Sequence, residues 1–435
     1  MAGAPPPLRS CPALLLGACA SGQGKTTVTA ALARFHRGRG RRVRVFKTGP
    51  DFLDPMILAR AAGGEVEPLD LWMVGPDLCA AKLYAAAAQA DLILIEGAMG
   101  LFDGEPSAAD LAQRFHIPVA ALIDAGGMGQ TFGALAQGLA RYRPGLRLAG
   151  VVANRVASDR HAEMIRAGMP AAVPFLGCVR RLADAALPSR HLGLVQADEV
   201  ADLDRRLDAA AALIAPTELA ALPAAVAFQP SSPGPAPQAW LEGRRIAVAR
   251  DGAFAFLYPD NLRLLAAMGA ELTQFSPLQD SEVVADAIYL PGGYPELHLD
   301  ALAANRSMMA SLHAHVAAGR PVYAECGGML YLLERLTDKA GHGADLLGVL
   351  PGQARMQPRL AGLGMQALDL PEGRLRGHSF HHSTMQTPVA PSAHGRRQVD
   401  GLRGEPFYRH ASVRASYLHL YFPSAPEAAA SLFLP

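Results

Sequence analysis

The sequence of 435 residues has few cysteines, few aromatic side chains and almost no net charge. Its five cysteines form neither a Cys-x-x-Cys pair nor a cysteine–histidine spacing typical of zinc ligands, so a disulfide framework and a zinc site are not indicated. This cysteine usage favours a reducing, cytoplasmic compartment. Aromatic residues make up 6% of the chain and the formal net charge is +1, so the composition does not favour nucleic acid or a membrane surface as a partner.

Long hydrophobic runs are also missing. No segment reaches the roughly 20 apolar residues that a membrane-spanning helix needs. The segment "CPALLLGACA", residues 11–20, has some features of a signal peptide, but it leads directly into a glycine-rich turn and a lysine. We therefore interpret it as the first strand of a folded domain.

The chain is rich in short apolar runs that alternate with longer Ala- and Leu-rich segments of helical period. The strand candidates of its first half are "ALLLGA", "RVRVFK", "LILIEG", "VAALID" and "LAGVVANR". Such alternation predicts βαβ units around a largely parallel sheet. It stops at residues 215–243, a Pro- and Ala-rich segment typical of a linker, and restarts at "RRIAVARD". We predict an α/β protein with two domains, residues 1–214 and 244–435.

A glycine-rich turn follows the first predicted strand, in "LLLGACASGQGKTTVTAALARF". Backbone N–H groups of such a turn, together with the N-terminus of the next helix, bind phosphate oxygens. Lys25 would reach the terminal phosphates of ATP, and the Thr26 hydroxyl would ligate Mg²⁺. Cys19 stands where the usual pattern has its first glycine. The remaining candidates for ATP binding are Gly22, Gly24, Lys25, Thr26 and Thr27.

Polar side chains at later predicted strand ends extend this nucleotide site. In "DLILIEGAMGLFDGE", Glu96 stands at the end of a buried strand, where a Mg²⁺ ligand or water-orienting carboxylate is expected. Asp103 follows on a glycine-flanked loop. In "VVANRV", Asn154 is placed to hydrogen-bond an adenine edge. In "VFKTGPDFLDP", Lys47 ends another strand and precedes Asp51 and Asp54, a pattern that fits either a solvated turn or a functional strand end.

The second half contains a strand–turn–helix elbow in "RPVYAECGGMLYLLE". The elbow places Cys326 at a helix N-terminus, where we expect the helix dipole to lower the pKa of the thiol and favour a nucleophile. N–H groups near Gly293, in "YLPGGYPE", and at Gly327 are candidates for an oxyanion hole. A general base is also needed. Spacing alone does not choose between His419, which we place at a strand end, and the cluster His378, His381 and His382.

Together these motifs resemble the cobyrinic acid a,c-diamide synthase family. The matching segments are "SGQGKTTVTAAL", "FKTGPDFLDP", "EGAMGLFDG", "LPSRHLGLV", "ARDGAFAFLYPDN", "PGGYPE", "AECGGMLYL" and "ASYLHLYF". The resemblance implies a P-loop domain like that of dethiobiotin synthetase, followed by a class I glutamine amidotransferase domain. The implied activity is ATP-dependent amidation of the a and c carboxylates of a corrinoid macrocycle in cobalamin biosynthesis, with L-glutamine as nitrogen donor and Mg²⁺ as cofactor.

The resemblance also implies roles for individual residues. Cys326 matches the glutaminase nucleophile and His419 the base. Ordinary class I glutaminases have a glutamate two positions after this histidine, whereas this chain has Tyr421, so a dyad without an acidic third member is implied. The implied nucleotide and Mg²⁺ set is Lys25, Thr26, Asp51 and Glu96. Asp54 and Asp103 match positions that handle the substrate and its phosphorylated intermediate. Lys47, set beside the phosphate loop and Glu96, is expected to neighbour the transferred phosphate or the substrate carboxylate.

Other assignments remain open at this stage. Cobyric acid synthase has the same two-domain plan, and nickel-sirohydrochlorin a,c-diamide synthase is a related alternative. A partitioning-type P-loop ATPase is the alternative from a different class. Such an ATPase leaves the cysteine elbow without a purpose. The sequence does not decide whether the macrocycle contains cobalt or whether the protein forms a homodimer. Two-site chemistry leads us to expect a protected ammonia path, but no sequence feature shows one.

Overall fold

The computed structural model describes residues 7–181, 189–190, 193–232 and 234–435, without the side chains of residues 189, 190, 193 and 194. The motif "LPSRHLGLV" lies partly outside the described residues, since residues 187–188 and 191–192 are not among them. The chain divides into two units between Gly234 and Pro235. Each unit is described by itself below.

The first unit is built on a parallel sheet. Its strands are β1 (Arg9–Ala18), β2 (Val43–Lys47), β3 (Glu67–Pro68), β4 (Leu92–Glu96), β5 (Val119–Asp124), β6 (Leu148–Val156), β7 (Phe175–Arg180), β8 (Ser189–Arg190), β9 (Gly193–Leu194) and β10 (Ala225–Phe228). The main sheet has the order β3-β2-β4-β1-β5-β6-β7, with all of these neighbours parallel. β8 and β9 form a separate two-stranded pair. The predicted βαβ alternation of the first half is confirmed.

Helices cover both faces of this sheet. They are α1 (Lys25–Arg37), α2 (Leu53–Ala62), α3 (Pro76–Gln89), α4 (Ala108–Arg114), α5 (Thr131–Tyr142), α6 (Asp159–Ala167) and α7 (Leu203–Ile214). Helices α1, α2 and α7 pack in one apolar cluster, and α5 and α6 pack in another. Strands buried on both faces need continuous apolar sequence. All five residues of β4 are accordingly buried, including its terminal Glu96.

β10 lies inside the segment predicted as a linker. It pairs antiparallel with the first residues of β1, so that Arg9 faces Phe228 and Cys11 faces Val226. Val226 and Phe228 are buried while the residues that alternate with them are exposed. Part of the Pro- and Ala-rich segment therefore belongs to the first unit, because an alternating apolar pair within it packs against β1.

The second unit combines parallel and antiparallel strands. Its strands are β11 (Arg245–Ala249), β12 (Glu271–Phe275), β13 (Ala287–Leu290), β14 (Val322–Glu325), β15 (Leu333–Thr337), β16 (Gly343–Asp345), β17 (Leu350–Met356), β18 (Gly362–Leu370), β19 (Gly373–His381), β20 (Ser383–Gln386), β21 (Ala393–Arg397), β22 (Arg403–His410), β23 (Val413–Ser416) and β24 (His419–Tyr421). The larger sheet has the order β12-β11-β13-β14-β23-β22-β21-β18-β19-β24. A smaller sheet has the order β16-β15-β17-β20.

The helices of the second unit again cover two faces of the larger sheet. They are α8 (Pro259–Ala267), α9 (Leu299–Ala304), α10 (Arg306–Ala317), α11 (Gly327–Leu332) and α12 (Pro426–Ser431). Helices α9, α10 and α11 contribute to one apolar cluster, and α8 and α12 to the other. The strands β12, β11, β13, β14 and β23 are mutually parallel. Their carboxyl ends therefore meet at one edge, where ligand sites form in such sheets.

Candidate active site

The phosphate loop occupies the turn between β1 and α1. Gly22 and Gly24 have φ angles of 74° and 89°, in the left-handed region that favours glycine. A Cβ at Gly24 would also overlap the Asn154 amide, which donates a hydrogen bond to the Gln23 carbonyl at 2.8 Å. The loop thus has the backbone conformation and the helix N-terminus that a phosphate site requires.

Lys25 begins α1 and is buried. Its Nζ donates to the carbonyl oxygens of Ala20 at 3.1 Å and Met99 at 2.5 Å. Burial and the neighbouring Lys47 lower the pKa of Lys25, whereas the surrounding carboxylates oppose this shift. The ammonium group is therefore held within the loop, beside the position where phosphate oxygens would bind.

Four predicted residues converge around Lys47 at the carboxyl edge of the sheet. The Lys47 ammonium donates to Asp54 Oδ2 at 2.8 Å and to Glu96 Oε1 at 2.9 Å, and it lies 3.7 Å from Asp51 Oδ2. Thr26 Oγ1 also donates to Glu96 Oε1, at 2.8 Å. The structure therefore brings Thr26, Lys47, Asp51, Asp54 and Glu96 into one cluster, because the carboxyl ends of neighbouring β2 and β4 meet there.

The cluster contains more carboxylates than cations. Burial opposes the charge on Lys47, but Glu96, Asp54 and Asp51 raise its pKa above the ordinary value. Burial and the neighbouring Asp54 raise the pKa of Asp51. Burial also opposes ionisation of Asp54, yet Lys47, Asp51 and Thr26 hold its pKa below the ordinary value. The Asp51–Asp54 pair is thus divided between a carboxyl that favours its proton and one that favours its charge.

The cluster has donor atoms that fit Mg²⁺. Glu96 is fully buried, burial raises its pKa, and its Oε2 makes no hydrogen bond to any described residue. Within the described residues, no group of three or more His, Cys, Asp or Glu side chains forms a ready-made metal cage. Mg²⁺ commonly binds through one or two carboxylates together with phosphate oxygens and water. Thr26, Glu96 and Asp51 therefore suit a site completed by a nucleotide, although Asp51 Oδ1 already accepts the Leu53 and Asp54 N–H groups.

Two further predicted residues lie beside this cluster, Asp103 on the loop after β4 and Asn154 near the end of β6. Asp103 is exposed, and its Oδ2 accepts the Gly100 N–H at 2.9 Å while its charge acts on Lys25. Asn154 is buried and borders a cavity of about 120 Å³ next to Gly24 and Thr27. The apolar residues lining this cavity are Val28, Ala31, Val179, Ala210, Leu213 and Ile214.

Arg155 is a residue of this site that sequence reasoning missed. It has a left-handed φ of 57°, and its guanidinium donates to the Gly22 carbonyl at 2.8 Å and forms an ion pair with Asp124. The adjacent Asp124 N–H donates to Gln23 Oε1 at 2.7 Å. Arg155 therefore ties the phosphate loop to the ends of β5 and β6. Its position directly after Asn154 was the only available signal.

In the second unit, Cys326 lies in the strained turn between β14 and α11. Its φ of 43° is left-handed, and its N–H donates to the Ser416 carbonyl at 2.8 Å. A Cβ at Gly328 would overlap the Leu290 carbonyl, and one at Gly327 would lie 2.8 Å from the Gly293 carbonyl oxygen. The two glycines after the cysteine are therefore needed for α11 to pack against β13 and the following loop.

The expectation of a lowered thiol pKa is wrong for this structure. Cys326 is 7% exposed, and burial, followed by the charge of Glu296, raises its pKa, although a hydrogen bond from the Gly327 N–H opposes this shift. Helix α11 has six residues, so the field of its short dipole does not offset the desolvation of a thiolate. The resting cysteine is a thiol that needs a base.

The predicted oxyanion residues lie together. Gly293 backs directly onto Gly327, and a Cβ at Gly293 would overlap the Ala253 carbonyl, so only glycine fits there. The loop that carries Ala253 is held by Asp251, whose Oδ1 accepts the N–H groups of Ala253 at 2.9 Å and Phe254 at 3.2 Å. The "ARDGAFAF" motif therefore supports the glycine turn of "PGGYPE".

His419 begins β24 rather than ending a strand as expected, because the chain leaves β23 at Ser416 and pairs next with β19. It is 2% exposed, and a Cβ at Gly292 would overlap its imidazole. Burial, followed by the charges of His378 and His381, lowers its pKa well below the ordinary value. Gly292 is thus next to His419, and Gly293 is next to Gly327, so one loop contacts both sides of the thiol site.

The other candidate histidines have different surroundings. His378 stacks on His419 with ring centroids 5.0 Å apart, and burial lowers its pKa to about 3. His381 stacks on Tyr417 and lies 3.0 Å from Glu405 Oε1 and 2.9 Å from the Ser383 carbonyl oxygen. His382 packs near Phe380. His419 is in close contact with Gly292, in the glycine turn that backs onto Gly327.

Two family models match the two halves of the chain. The model described as the CobQ/CobB/MinD/ParA nucleotide binding domain matches residues 16–195. The model described as the CobB/CobQ-like glutamine amidotransferase domain matches residues 245–427. Fold, phosphate loop and cysteine elbow therefore define a glutamine amidotransferase joined to a nucleotide-binding domain, which excludes the partitioning-type ATPase as an account of the whole chain.

Curated relatives define the family more narrowly. The hydrogenobyrinate a,c-diamide synthase of Stutzerimonas stutzeri is 59% identical over 429 residues, which are 98% of this chain and 99% of that protein. The same enzyme of Pseudomonas aeruginosa is 58% identical over 98% of both chains. The cobyrinate a,c-diamide synthase of Herminiimonas arsenicoxydans is 49% identical over 99% of this chain and 98% of that protein. The chain belongs to the hydrogenobyrinate and cobyrinate a,c-diamide synthase family.

Among the helices that the structure describes, none combines the length and the apolar character required to cross a bilayer.

Proposed function

We propose that this protein amidates the a and c carboxylates of hydrogenobyrinic acid, using ATP and the amide nitrogen of glutamine. The observation that carries the proposal is the presence in one chain of a phosphate loop beside the Lys47–Glu96 cluster and of a cysteine elbow beside His419. Neither site alone performs the reaction. Carboxylate activation and ammonia production need different chemistry.

The first unit suits the activation of a carboxylate. A carboxylate is a poor electrophile, and transfer of the ATP γ-phosphoryl group would convert it into an acyl phosphate that ammonia can attack. In this proposal the loop N–H groups and Lys25 bind the phosphates, and the cavity beside Asn154 takes the adenine ring. Thr26, Glu96 and Asp51 would hold Mg²⁺, which offsets the crowded negative charge of the phosphates. Lys47, Asp54 and Asp103 would face the substrate and its phosphorylated form.

The second unit suits glutamine hydrolysis. Cys326 and His419 both rest in the neutral form, because burial disfavours the thiolate and the imidazolium alike. Proton transfer from the thiol to the imidazole would therefore accompany the attack of sulfur on the glutamine amide. The N–H groups at Gly293 and Gly327 would stabilise the oxyanion. Ammonia leaves, and water hydrolyses the thioester to glutamate.

Two matched variants test this division of labour. Cys326→Ala should abolish glutamine-dependent amidation and retain amidation with added ammonium chloride, because it removes only the nucleophile. Lys25→Ala should abolish amidation with either nitrogen source, because it removes a phosphate ligand. Retained ammonia-dependent turnover in Lys25→Ala, or its loss in Cys326→Ala, would contradict the assignment.

The metal-free macrocycle is favoured over its cobalt form. Both relatives at 58–59% identity are named for hydrogenobyrinate, and the relative at 49% is named for cobyrinate. Cobyrinic acid is therefore the second candidate substrate.

We also propose a reducing compartment for the protein, since all five cysteines are free thiols.

A further inference from the structure

Position 421 does not supply the carboxylate that ordinary class I glutaminases place two residues after the histidine. Tyr421 is fully buried, and its hydroxyl donates to Asp260 Oδ2 at 3.0 Å. A phenol in this position offers the imidazole no negative charge. If His419 becomes cationic during glutamine hydrolysis, a compensating charge must come from another element.

A buried carboxylate lies on the strand that carries the nucleophile. Glu325 is 2% exposed and ends β14, directly before Cys326. Its Oε2 lies 3.8 Å from His419 Nδ1. This separation is longer than a hydrogen bond but within the range of an ion pair. Glu325 therefore lies close enough to stabilise an imidazolium at His419 once one forms.

Glu325 also fixes the backbone beside His419. Its Oε1 accepts the Leu420 N–H at 3.0 Å, which ties the start of β24 to the end of β14. The hydroxyls of Tyr323 and Tyr289 donate to Oε1 and Oε2 at 2.8 Å and 2.9 Å. The carboxylate thus has a fixed position with three donors, and it connects the elements that carry the two reacting groups.

The imidazole of His419 is buried in surroundings that disfavour its charged form, which a nearby carboxylate would stabilise. The imidazole lies between Gly292, which has no room for a Cβ, and the ring of His378. Burial lowers the pKa of His419 well below its ordinary value, so forming the imidazolium costs free energy. Burial also raises the pKa of Glu325 to about 7, while the Leu420 N–H and the two tyrosine hydroxyls favour its charged form. A negative charge at Glu325 lowers the cost of the imidazolium.

We propose that Glu325 is the positioning carboxylate of the glutaminase site, which orients His419 through Leu420 and stabilises the charge that its imidazole acquires. This inference rests on the proposed glutamine-hydrolysing function. The thiol proton moves to the imidazole as the Sγ–C bond forms. The imidazolium beside the ionised Glu325 then gives this proton to the amide nitrogen, whose bond to carbon breaks, so that ammonia leaves and the thioester remains. Glu325 itself exchanges no proton in this step.

Steady-state glutamine hydrolysis by the full-length protein, measured as glutamate release, tests the inference. Glu325→Gln keeps the size of the side chain and removes its charge. We expect kcat to fall by roughly 10- to 100-fold while KM for glutamine changes less than about threefold, as for other groups that orient a reacting ligand. Glu325→Asp keeps the charge but shortens the side chain, so its kcat should lie between those of the wild type and Glu325→Gln.

Controls separate this inference from the function on which it rests. Amidation with ammonium chloride should be unchanged in both variants, because it bypasses the thiol site. Wild-type kcat in Glu325→Gln, or equal impairment in both variants, would overturn the positioning function. If Glu325→Gln also loses the ammonia-dependent activity, the substitution has damaged the fold, and Glu325→Asp becomes the test. Wild-type kcat for glutamine hydrolysis in Glu325→Asp would then overturn the positioning function. If the wild type releases no more glutamate than Cys326→Ala, the proposed glutaminase function itself fails.

Discussion

At the scale of single residues, the absence of a side chain at Gly292 determines where His419 can lie. A Cβ at Gly292 would overlap the imidazole, whereas Gly293 and Gly327 meet through their backbones. The loop "PGGYPE" therefore brings the general base and the oxyanion donors together by close approach. The lack of a Cβ at Gly292 is thus a packing requirement for placing the imidazole of His419 beside the thiol site.

Gly292→Ala should displace the imidazole and lower glutamine-dependent amidation by roughly 10²-fold or more, the usual contribution of a general base. Amidation with added ammonia should remain, since the first unit is unchanged. Gly138→Ala is the matched control, because a Cβ there meets no atom within 4 Å. Equal glutaminase rates in the two variants would contradict the placement of His419.

Glu325 also gives a residue-scale prediction for stability. Burial raises its pKa from 4.5 to about 7, so the folded state binds a proton more tightly than the unfolded state between these values. The free energy of unfolding then falls as pH rises through this window, by on the order of 3 kcal/mol for this group. Glu325→Gln removes that contribution. Urea denaturation should show the variant gaining stability relative to the wild type between about pH 4.5 and about pH 7, and a constant difference would refute the shift.

The sequence predicted some residues of the candidate site and missed others, and the difference has physical reasons. The phosphate loop and the Cys326 elbow were predictable because glycine-rich strand–helix turns carry a local signature. Glu325 and Arg155 were missed, since their partners lie on strands distant in sequence. The thiol pKa was predicted in the wrong direction because burial, unlike a helix N-terminus, is not readable from a short motif. The assigned functions of the site residues stay predictions.

At the scale of elements, apolar runs predicted five of the parallel strands of the first unit, whereas the antiparallel strand β10 was read as part of a linker. β4 and β5 are apolar up to their final residue, β1 and β6 contain the runs "ALLLGA" and "LAGVVA", and β2 has one charged residue, Arg44, before its terminal Lys47. Such runs indicate buried parallel strands. β10 lies among prolines and alanines, and only its alternating pair Val226 and Phe228 marks it as a strand. The pairing of β10 with β1 is a tertiary contact that short-range patterns do not specify.

Phe228→Ala tests whether β10 is part of the first unit. Phe228 is 4% exposed, and its removal should lower the free energy of unfolding by roughly 3 kcal/mol, the usual cost of truncating a buried aromatic residue. Ala227→Ser, on the exposed side of the same strand, should change it by less than about 0.5 kcal/mol. Similar small effects of both substitutions in urea denaturation would indicate that these residues behave as a linker.

At the scale of the whole molecule, the chain pairs two α/β units with different chemistry. Family membership follows from relatives that match nearly the whole chain, and their names supply the substrate class that fold alone does not define. The homodimer and the ammonia path stay predictions. Light scattering would measure the molar mass of the protein in solution and so test for the homodimer.

The most direct test of the proposed function follows nitrogen from glutamine into the macrocycle. The wild-type protein would be incubated with ATP, Mg²⁺, hydrogenobyrinic acid and glutamine labelled at its side-chain amide, with cobyrinic acid in a parallel reaction. Mass spectrometry should show two labelled amides in the hydrogenobyrinic acid product, less product from cobyrinic acid, and none without ATP. An unlabelled or unmodified macrocycle would contradict the central claim that this protein is a glutamine-dependent a,c-diamide synthase.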